Sequence, residues 1–278
     1  MAAVKQSAGR ARPRVGTPGH LSEMFCSIQG EGPFVGERQI FLRTSGCTAT
    51  CSWCDTVYAK VRTPRFVIHD DATREKRAIE NPVALERVVE VVRDFAARHH
   101  PVDTVSLTGG EPLEQAEFVH ALSKRLHAAG LRIYLETNGL NAEALGAVLP
   151  YVDVVAMDIK LPSAVGVETW DDHRRFLSVL RGSPLLAGRD PRRGVFVKVV
   201  MDGRSHLDEV GVAVGIIAAV DPTIPLVLQP ESETLMSRTP PHNSRRLLAT
   251  MGGAQRLAME SLETVRVIPQ LHKILQVR

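Results

Sequence analysis

The sequence is poor in cysteine and has no long apolar run. Only four cysteines occur among 278 residues, and three of them fall within the eight residues from Cys47 to Cys54. A disulfide framework is unusual in a chain of this length, so the clustering favours metal ligation in a reducing compartment. No stretch approaches the ~20 apolar residues of a membrane span, and the opening segment lacks the apolar core of a secretory signal. We therefore expect a cytoplasmic protein without membrane contact.

A strong charge of either sign is also missing. The formal net charge is only +3, and four basic residues lie in an opening segment that has no acidic residue before Glu23, namely Lys5, Arg10, Arg12 and Arg14. Without these four the rest of the chain is near neutral, which gives no indication of a nucleic-acid partner. We predict a disordered basic tail over residues 1–18 and a single domain over 19–278.

Apolar runs typical of strands alternate with helical patterns along most of the chain. Strands are predicted at 38–43, 103–108, 132–136, 152–157, 195–201, 225–229 and 264–268. One helix is predicted to begin at Asn81, as its N-cap, with Pro82 in the first position. Further helices are predicted at 114–129, 141–149, 205–219 and 240–252. The charged segments 58–80 and 162–192 lack such regularity and are predicted to be insertions outside the core.

This repeated order of strand and helix predicts an α/β fold with a parallel sheet and right-handed crossovers, as a partial or modified (β/α)6 barrel resembling a TIM barrel. Polar motifs follow the predicted strands. They are Thr108-Gly109-Gly110-Glu111-Pro112, Glu136-Thr137-Asn138-Gly139, Asp158 with Lys160, and Gln229-Pro230. Because the carboxyl ends of parallel strands meet on one face of a barrel, we expect these residues to form one site.

The spacing of Cys47, Cys51 and Cys54 lets three thiolates converge from one loop onto iron or zinc. A structural zinc site normally takes four protein ligands, whereas a [4Fe–4S] cluster on three cysteines leaves one iron open. The pattern therefore favours the cluster. A zinc site completed by a distant histidine, or three incidental thiols, are the alternatives. We interpret Cys26 as a small residue packed beside the loop rather than as a fourth ligand.

The cysteine loop after an early strand, followed by Thr-Gly-Gly-Glu-Pro after the next strand, resembles the radical S-adenosylmethionine (SAM) superfamily. The resemblance spans most of the chain. It implies that the open iron binds the amino and carboxylate groups of SAM, and that one-electron reduction by a donor such as flavodoxin or ferredoxin generates a 5′-deoxyadenosyl radical. The residues implied to contact the cofactor are Trp53, Asp55, Gly110, Glu111, Asp158, Lys160 and Gln229.

A narrower resemblance rests on Ser27-Ile28-Gln29-Gly30-Glu31-Gly32, on Phe41-Leu42-Arg43, on Cys54-Asp55-Thr56 and on Pro269-Gln270 with His272-Lys273. Together these segments are similar to the 7-carboxy-7-deazaguanine synthase family. That family converts 6-carboxy-5,6,7,8-tetrahydropterin to 7-carboxy-7-deazaguanine with loss of ammonia, on the route to queuosine and other deazapurines. The resemblance also implies magnesium and a homodimer.

On this resemblance the pterin is held by Ile28, Gln29, Gly30, Glu31, Arg43, Thr108, His272 and Arg278. Arg43 is expected to pair with the substrate carboxylate through its two-pronged guanidinium, and Thr56 is expected to bind magnesium. The C-terminal segment is expected to fold back so that His272 and the terminal carboxylate face the site. A frayed C-terminus is the alternative for Arg278, and a helix-capping hydroxyl is the alternative for Thr56.

Other interpretations of these residues are more ordinary. Gln29 and Glu31 could belong to a polar turn, and Arg43 could be a surface charge. Asp158, Lys160 and Gln229 could be solvated strand ends. At the level of the whole chain, a glycyl-radical-enzyme activating enzyme uses the same cysteine spacing. A non-catalytic iron–sulfur or zinc protein is the second rival.

Overall fold

A computed structural model of the chain describes residues 16–187, 190–236 and 241–278. In this part of the chain the strands form one sheet. The strands are β1 (Leu21–Ile28), β2 (Arg38–Thr44), β3 (Arg65–Asp70), β4 (Glu75–Glu80), β5 (Thr104–Gly109), β6 (Arg132–Thr137), β7 (Val154–Asp158), β8 (Gly194–Met201), β9 (Leu226–Pro230) and β10 (Val265–Val267).

The order of strands across the sheet is β10-β9-β8-β7-β6-β5-β2-β1-β3-β4. All neighbouring pairs from β10 to β2 are parallel, whereas β1 runs antiparallel to β2. Strand β3 pairs in parallel with β1, and β4 returns beside it as a hairpin. The predicted partial barrel of parallel strands is confirmed, with β2 and β5 to β9 as its six strands.

Helices follow most of the parallel strands. They are α1 (Leu85–Arg98), α2 (Ala116–Ala128), α3 (Ala142–Val148), α4 (Pro162–Val165), α5 (Trp170–Leu180), α6 (Pro184–Ala187), α7 (Leu207–Ala218), α8 (Ser232–Met236), α9 (Pro241–Met259) and α10 (Leu271–Leu275). The helices predicted at 114–129, 141–149, 205–219 and 240–252 correspond to α2, α3, α7 and α9. No helix in the described ranges is long and apolar enough to cross a membrane.

The two faces of the sheet have different partners because side chains alternate along each strand. On β7, Val155 and Met157 belong to the main hydrophobic core, which also contains the apolar faces of the helices. Val154 and Ala156 of the same strand belong to a smaller inner cluster with Tyr134, Phe196 and Val227. Along each of these strands the residues of the inner cluster precede the polar residues at the carboxyl end.

The prediction that residues 58–80 lie outside the core is wrong. They contain β3 and β4, and the side chains of Phe66 and Ile68 are fully buried in the main core. The physical reason is that β4 is almost entirely exposed, so its charged residues obscure the alternation of buried and accessible residues in β3.

The segment 162–192 is not an insertion either. Helix α5 is part of the connection between the parallel strands β7 and β8, and Phe176, Leu177 and Leu180 are fully buried on it. The run of apolar residues at helical spacing is short and is flanked by charged residues, glycine and proline. The helix is therefore hard to recognise in the sequence. Residues 188 and 189 of this segment lie outside the described part of the chain.

The predicted N-cap at Asn81 is wrong, because α1 begins four residues later at Leu85. The Asn81 side-chain amide instead donates hydrogen bonds to the main-chain oxygens of Leu21 (2.6 Å) and Thr63 (2.9 Å). Of the predicted basic tail, residues 1–15 lie outside the described part of the chain. At its end, the Thr17 hydroxyl donates a hydrogen bond of 3.0 Å to Glu117, so the described fold begins slightly earlier than predicted.

Candidate active site

A cavity of about 760 Å³ opens at the carboxyl ends of the parallel strands. All of the residues predicted to bind cluster, cofactor, magnesium or substrate line this one cavity. They arrive there from β1, β2, the cysteine loop, β5, β7, β9 and the C-terminal segment. The shared location is what the strand topology predicts, because the loops at the carboxyl ends of parallel strands face the same side.

The cysteine loop is held at several points along its length. The main-chain N–H groups of Gly46 and Cys47 donate to the carbonyls of Ala59 (2.8 Å) and Lys60 (3.0 Å). Both the main-chain N–H and the hydroxyl of Thr48 donate to Glu114, each at 2.7 Å. The loop is therefore fixed to the turn that follows it and to the turn that precedes α2.

Cys47, Cys51 and Cys54 are half-buried and line the cavity. Burial raises the pKa of the Cys47 thiol to about 11, so its deprotonation depends on a metal partner. Among the described residues, no three His, Cys, Asp or Glu side chains are grouped closely enough to hold a metal ion. The three thiols nevertheless come from one loop that lines the cavity, and three soft ligands from one loop suit an iron–sulfur cluster.

Cys26 cannot complete a zinc site with these three residues. Its side chain packs in the main hydrophobic core, whereas its neighbour Phe25 points to the other face of β1 and lines the cavity. Alternation along the strand therefore separates Cys26 from the cysteine loop. Cys26 is a small packed residue as predicted, but its side chain packs in the main core, on the face of β1 that points away from the cavity, rather than beside the loop.

The Gly-Gly-Glu segment connects the cysteine loop to the end of β6. The main-chain N–H groups of Gly110 and Glu111 donate to the carbonyls of Thr44 (3.0 Å) and Gly46 (2.8 Å). The Glu111 carboxylate accepts from the Asn138 N–H (2.7 Å) and the Thr137 hydroxyl (2.8 Å). Burial raises the pKa of Glu111 to about 7 despite these donors.

A buried charged network lies between β7 and β8, where Asp158 and Lys198 are register partners. The Lys198 ammonium lies 3.3 Å from Asp158 and also contacts the Glu31 carboxylate. Burial acts to lower the pKa of Lys198, but Asp158 and Glu31 raise it overall. The pKa of Glu31 is lowered to about 2, because Lys198 outweighs the opposing effect of burial. Lys198 and Glu31 are therefore charged at neutral pH, and Glu31 belongs to a buried ion pair rather than to an exposed polar turn.

Two amides reach the same carboxylate of Glu31. The side chains of Gln229 and Gln270 donate to its Oε1 atom at 3.2 Å and 2.7 Å. Gln229 is 1% exposed, so the interpretation of this residue as a solvated strand end is wrong. Lys160 bonds to Asp158 at 2.7 Å, and its ammonium lies 4.5 Å from the centre of the Trp53 ring.

Several polar atoms along the cavity have no hydrogen-bond partner within the described part of the chain. They include the indole N–H of Trp53 and the Oε1 atom of Gln229. Buried polar atoms are normally paired, so unpaired ones in a cavity wall suit contacts from a bound ligand. The three thiols, these atoms and the lining residues from β5 to β9 therefore fit an iron–sulfur cluster with a polar cofactor beside it.

A second polar group surrounds Glu136 at the end of β6. Its carboxylate accepts from the Gln29 amide (3.0 Å), from the Thr108 hydroxyl (2.7 Å) and, at 3.4 Å, from the Ser106 hydroxyl. Gln29 is 2% exposed, and its Oε1 atom accepts from the Glu31 N–H at 3.0 Å. The predicted substrate residues Gln29 and Thr108 are thus joined by one carboxylate that faces the cavity.

The C-terminal segment folds over the cavity. The Leu271 N–H donates to the Gly30 carbonyl at 2.8 Å, and a Cβ atom on Gly30 would lie 2.0 Å from the His272 ring. The Arg278 main-chain oxygen accepts from the Ser27 hydroxyl at 2.7 Å. This packing agrees with the predicted return of His272 and Arg278 to the site and argues against a frayed end.

Thr56 follows the last cysteine and its hydroxyl lies 3.5 Å from the Gly109 carbonyl and 3.8 Å from the Cys54 sulfur. It precedes a short 3₁₀ turn over Val57–Ala59, but its side chain makes no capping hydrogen bond there. The alternative that the Thr56 hydroxyl caps a helix is therefore wrong. Asp55, beside it, lies 3.4 Å from the Lys273 ammonium.

Four residues that line the cavity or contact its lining were not singled out from the sequence as individual ligands: Glu23, Glu136, Lys198 and Gln270. Lys198 is a lone charge inside the apolar run 195–201, and Glu23 is the acid in a strand that is otherwise mostly apolar. An isolated charge at an inward position of a buried strand is a usable signal. Their partners, however, lie far away in the sequence and become visible only in the fold.

The fold and the cavity define a radical SAM enzyme. The family model of the Radical SAM superfamily matches residues 41–183, which include the cysteine loop and the strands from β5 to β7. A member of this superfamily uses a [4Fe–4S] cluster and S-adenosylmethionine, and the donor set described above fits both. The crystal structure of QueE from Escherichia coli has a similar fold, with a TM-score of 0.55 and 18% identity over 92% of this chain and 95% of that chain.

Two relatives are similar over nearly their whole length. The 7-carboxy-7-deazaguanine synthase of Geobacter sulfurreducens is 37% identical over 92% of this chain and 96% of the relative. The enzyme of the same name from Archaeoglobus fulgidus is 32% identical over 93% of this chain and 99% of the relative. This chain belongs to the 7-carboxy-7-deazaguanine synthase family.

Proposed function

We propose that the protein converts 6-carboxy-5,6,7,8-tetrahydropterin to 7-carboxy-7-deazaguanine with loss of ammonia. The observation that carries the proposal is that one cavity joins the cysteine loop to the substrate residues of the family motif. The cluster and SAM, when bound, supply hydrogen-atom abstraction from the pterin ring. The chain's own side chains must then hold the ring and its carboxylate in a fixed orientation beside that centre.

Gln29 and Glu136 are suited to the amino and lactam edge of a pterin. An amide can both donate and accept, and a carboxylate accepts from ring N–H and amino groups. Their mutual hydrogen bond and the Thr108 hydroxyl fix their orientation before substrate arrives. Ile28 and Gly30 supply the neighbouring main chain, and Gly30 leaves room for His272 to approach.

Arg43 is suited to the substrate carboxylate. Its Nε atom donates to Glu23 at 3.0 Å, and the Arg43 side chain makes no other hydrogen bond within the described part of the chain. The two terminal nitrogens can therefore form a forked pair with a carboxylate. Thr56 offers a single hydroxyl to magnesium, which commonly keeps its waters and takes further oxygens from substrate.

The decisive experiment uses anaerobically reconstituted enzyme with dithionite, SAM, magnesium and the carboxytetrahydropterin, followed by mass spectrometry of the products. We expect 7-carboxy-7-deazaguanine and ammonia in equal amounts. SAM cleavage without any deazaguanine product would overturn the assignment and favour another radical SAM reaction. Cys51→Ala should lose the visible absorbance of the cluster, whereas the matched variant Cys26→Ala should retain it because the Cys26 side chain packs in the main hydrophobic core.

We also assign an electron donor of the flavodoxin or ferredoxin class to the enzyme. The residues Thr48, Thr50 and Ser52 of the cysteine loop are exposed, so this loop reaches the protein surface. Replacement of dithionite by a reduced flavodoxin tests this assignment. The predicted homodimer and cytoplasmic location rest on the family resemblance and on cysteine usage, and light scattering of the reconstituted protein tests the dimer.

A further inference from the structure

Glu23 lies next to the cavity without lining it, and its carboxylate contacts residues from three separate parts of the chain. It is on β1, 9% exposed, and it does not line the cavity itself. Its Oε1 atom accepts from the Arg43 Nε at 3.0 Å and from the Tyr58 hydroxyl at 2.6 Å. Its Oε2 atom accepts from an Arg278 terminal nitrogen at 3.2 Å. One carboxylate therefore joins β2, the turn after the cysteine loop and the C-terminal end.

The position of Glu23 follows from the register of β1 and β2. Glu23 is the cross-strand partner of Arg43, and Phe25 is the partner of Phe41. The two phenylalanine rings stack with centroids 5.2 Å apart, and the guanidinium groups of Arg43 and Arg278 each lie 6.0 Å from the Phe25 ring. The guanidinium groups of both arginines are thus held by the Glu23 carboxylate and by the Phe25 ring.

Both arginines line the cavity, whereas the acid that binds them does not. A long arginine side chain loses considerable rotamer freedom when it must face a ligand in one orientation. A carboxylate that binds the Nε atom removes part of that cost in advance and leaves the terminal nitrogens of Arg43 for the ligand. His69 also faces Glu23, at 3.5 Å, and burial lowers its pKa so that it adds little positive charge at neutral pH.

We propose that Glu23 is a positioning residue that orients Arg43 and Arg278 toward the carboxylate of the substrate. The inference rests on the proposed function, since it assigns the carboxylate to the pterin substrate and its deazaguanine product. Glu23 acts through the arginines and does not touch the ligand. Replacement by glutamine keeps the shape of the side chain but places an N–H donor against the donors of one arginine.

The test compares two ligands on the reconstituted enzyme by calorimetry, namely 7-carboxy-7-deazaguanine and 7-deazaguanine, which lacks the carboxylate. We expect Glu23→Gln to weaken binding of the carboxylated ligand by about tenfold or more, the size of one charge-assisted hydrogen bond. Binding of 7-deazaguanine should stay within about twofold of the wild type. Turnover should show a raised KM for the pterin, with kcat changed much less.

Asp70→Asn is the matched control. Asp70 is also buried, on β3, and it accepts from the Arg98 Nε at 2.9 Å, but neither residue of this pair lines the cavity. If Glu23 had only a structural role, Glu23→Gln would weaken the binding of both ligands equally, as we expect for general destabilisation in Asp70→Asn. That outcome, or an unchanged preference for the carboxylated ligand, would overturn the proposal.

A second measurement separates action through arginine from direct contact. In an Arg43→Ala background, Glu23→Gln should weaken the carboxylated ligand by less than it does in the wild type, because the two residues act as one unit. Equal effects in both backgrounds would overturn the proposal. Failure of the wild-type enzyme to turn over the carboxytetrahydropterin would instead overturn the proposed function, so the two failures are distinguishable.

Discussion

Gly110 provides the most direct test of how the cysteine loop is held. A Cβ atom at Gly110 would lie 2.0 Å from the Gly46 oxygen, 2.6 Å from the Gly46 carbonyl carbon and 2.9 Å from the Ala59 oxygen. Ordinary contact begins at 3.4 Å, so the closest pair falls short by about 1.4 Å. All three neighbours are main-chain atoms, and rotation of a side chain cannot relieve the clash.

Gly110→Ala must therefore move the start of the cysteine loop away from the Gly-Gly-Glu segment. Such a movement strains the hydrogen bonds from the Glu111 N–H to Gly46 and from the Gly46 N–H to Ala59, both 2.8 Å long. Overpacking costs about 1–3 kcal/mol and each lost hydrogen bond about 1 kcal/mol, so we expect a destabilisation of about 3 kcal/mol. Ligand positions must match a metal within about 0.2 Å, so cluster content should fall more than stability does.

The assay is iron and sulfide content per chain after anaerobic reconstitution, together with visible absorbance and the rate of SAM cleavage. Gly215→Ala is the matched control. Gly215 lies on α7, where an added Cβ atom would meet no neighbouring atom within 4 Å, so alanine there should be neutral or stabilise the helix by up to about 1 kcal/mol. A Gly110→Ala enzyme with full iron content and normal SAM cleavage would refute the reasoning.

Three further predictions concern single contacts. Gly30→Ala should displace the ring of His272, which would lie 2.0 Å from the new Cβ, and raise the KM for the pterin while the cluster absorbance is kept. Thr56→Ala should keep the cluster absorbance but raise the magnesium concentration needed for half-maximal turnover. His173 is fully buried beside the Asn138 carbonyl, and burial lowers its pKa to about 4. In the unfolded protein His173 takes up a proton as the pH falls below its usual pKa of 6.5, whereas the buried ring stays neutral until about pH 4. The free energy of unfolding should therefore fall between pH 6.5 and 4, by about 2 kcal/mol at pH 5.

Each of these predictions has a control or a contradicting result. Unchanged KM in Gly30→Ala would show that the C-terminal segment does not contribute to substrate binding. Thr50→Ala, on the same loop, should leave the magnesium requirement alone, and an equal effect of both threonine variants would count against Thr56. Thermal unfolding of His173→Gln at pH 7.5 and 5 should show a smaller loss of stability at the lower pH than the wild type, and parallel curves would contradict the assignment.

The strand and helix alternation could be predicted from the sequence because each parallel strand is a short apolar run separated by an amphipathic helix. The motif residues could be assigned to one face for the same reason, since parallel strands end on the same side. Where the prediction failed, a local signal was weak. Strand β3 is masked by its exposed partner β4, and the apolar positions of α5 extend over only a few turns between charged residues.

The cysteine spacing and the motif at 27–32 by themselves determined the class of chemistry, because ligand type and spacing act within one short segment. Only the tertiary structure decided which charges meet. The pairings of Glu31 with Lys198, of Gln29 with Glu136 and of Glu23 with Arg278 join residues more than 100 positions apart. No local pattern encodes such contacts, because they depend on strand order, on register and on the return of the C-terminal segment across the cavity.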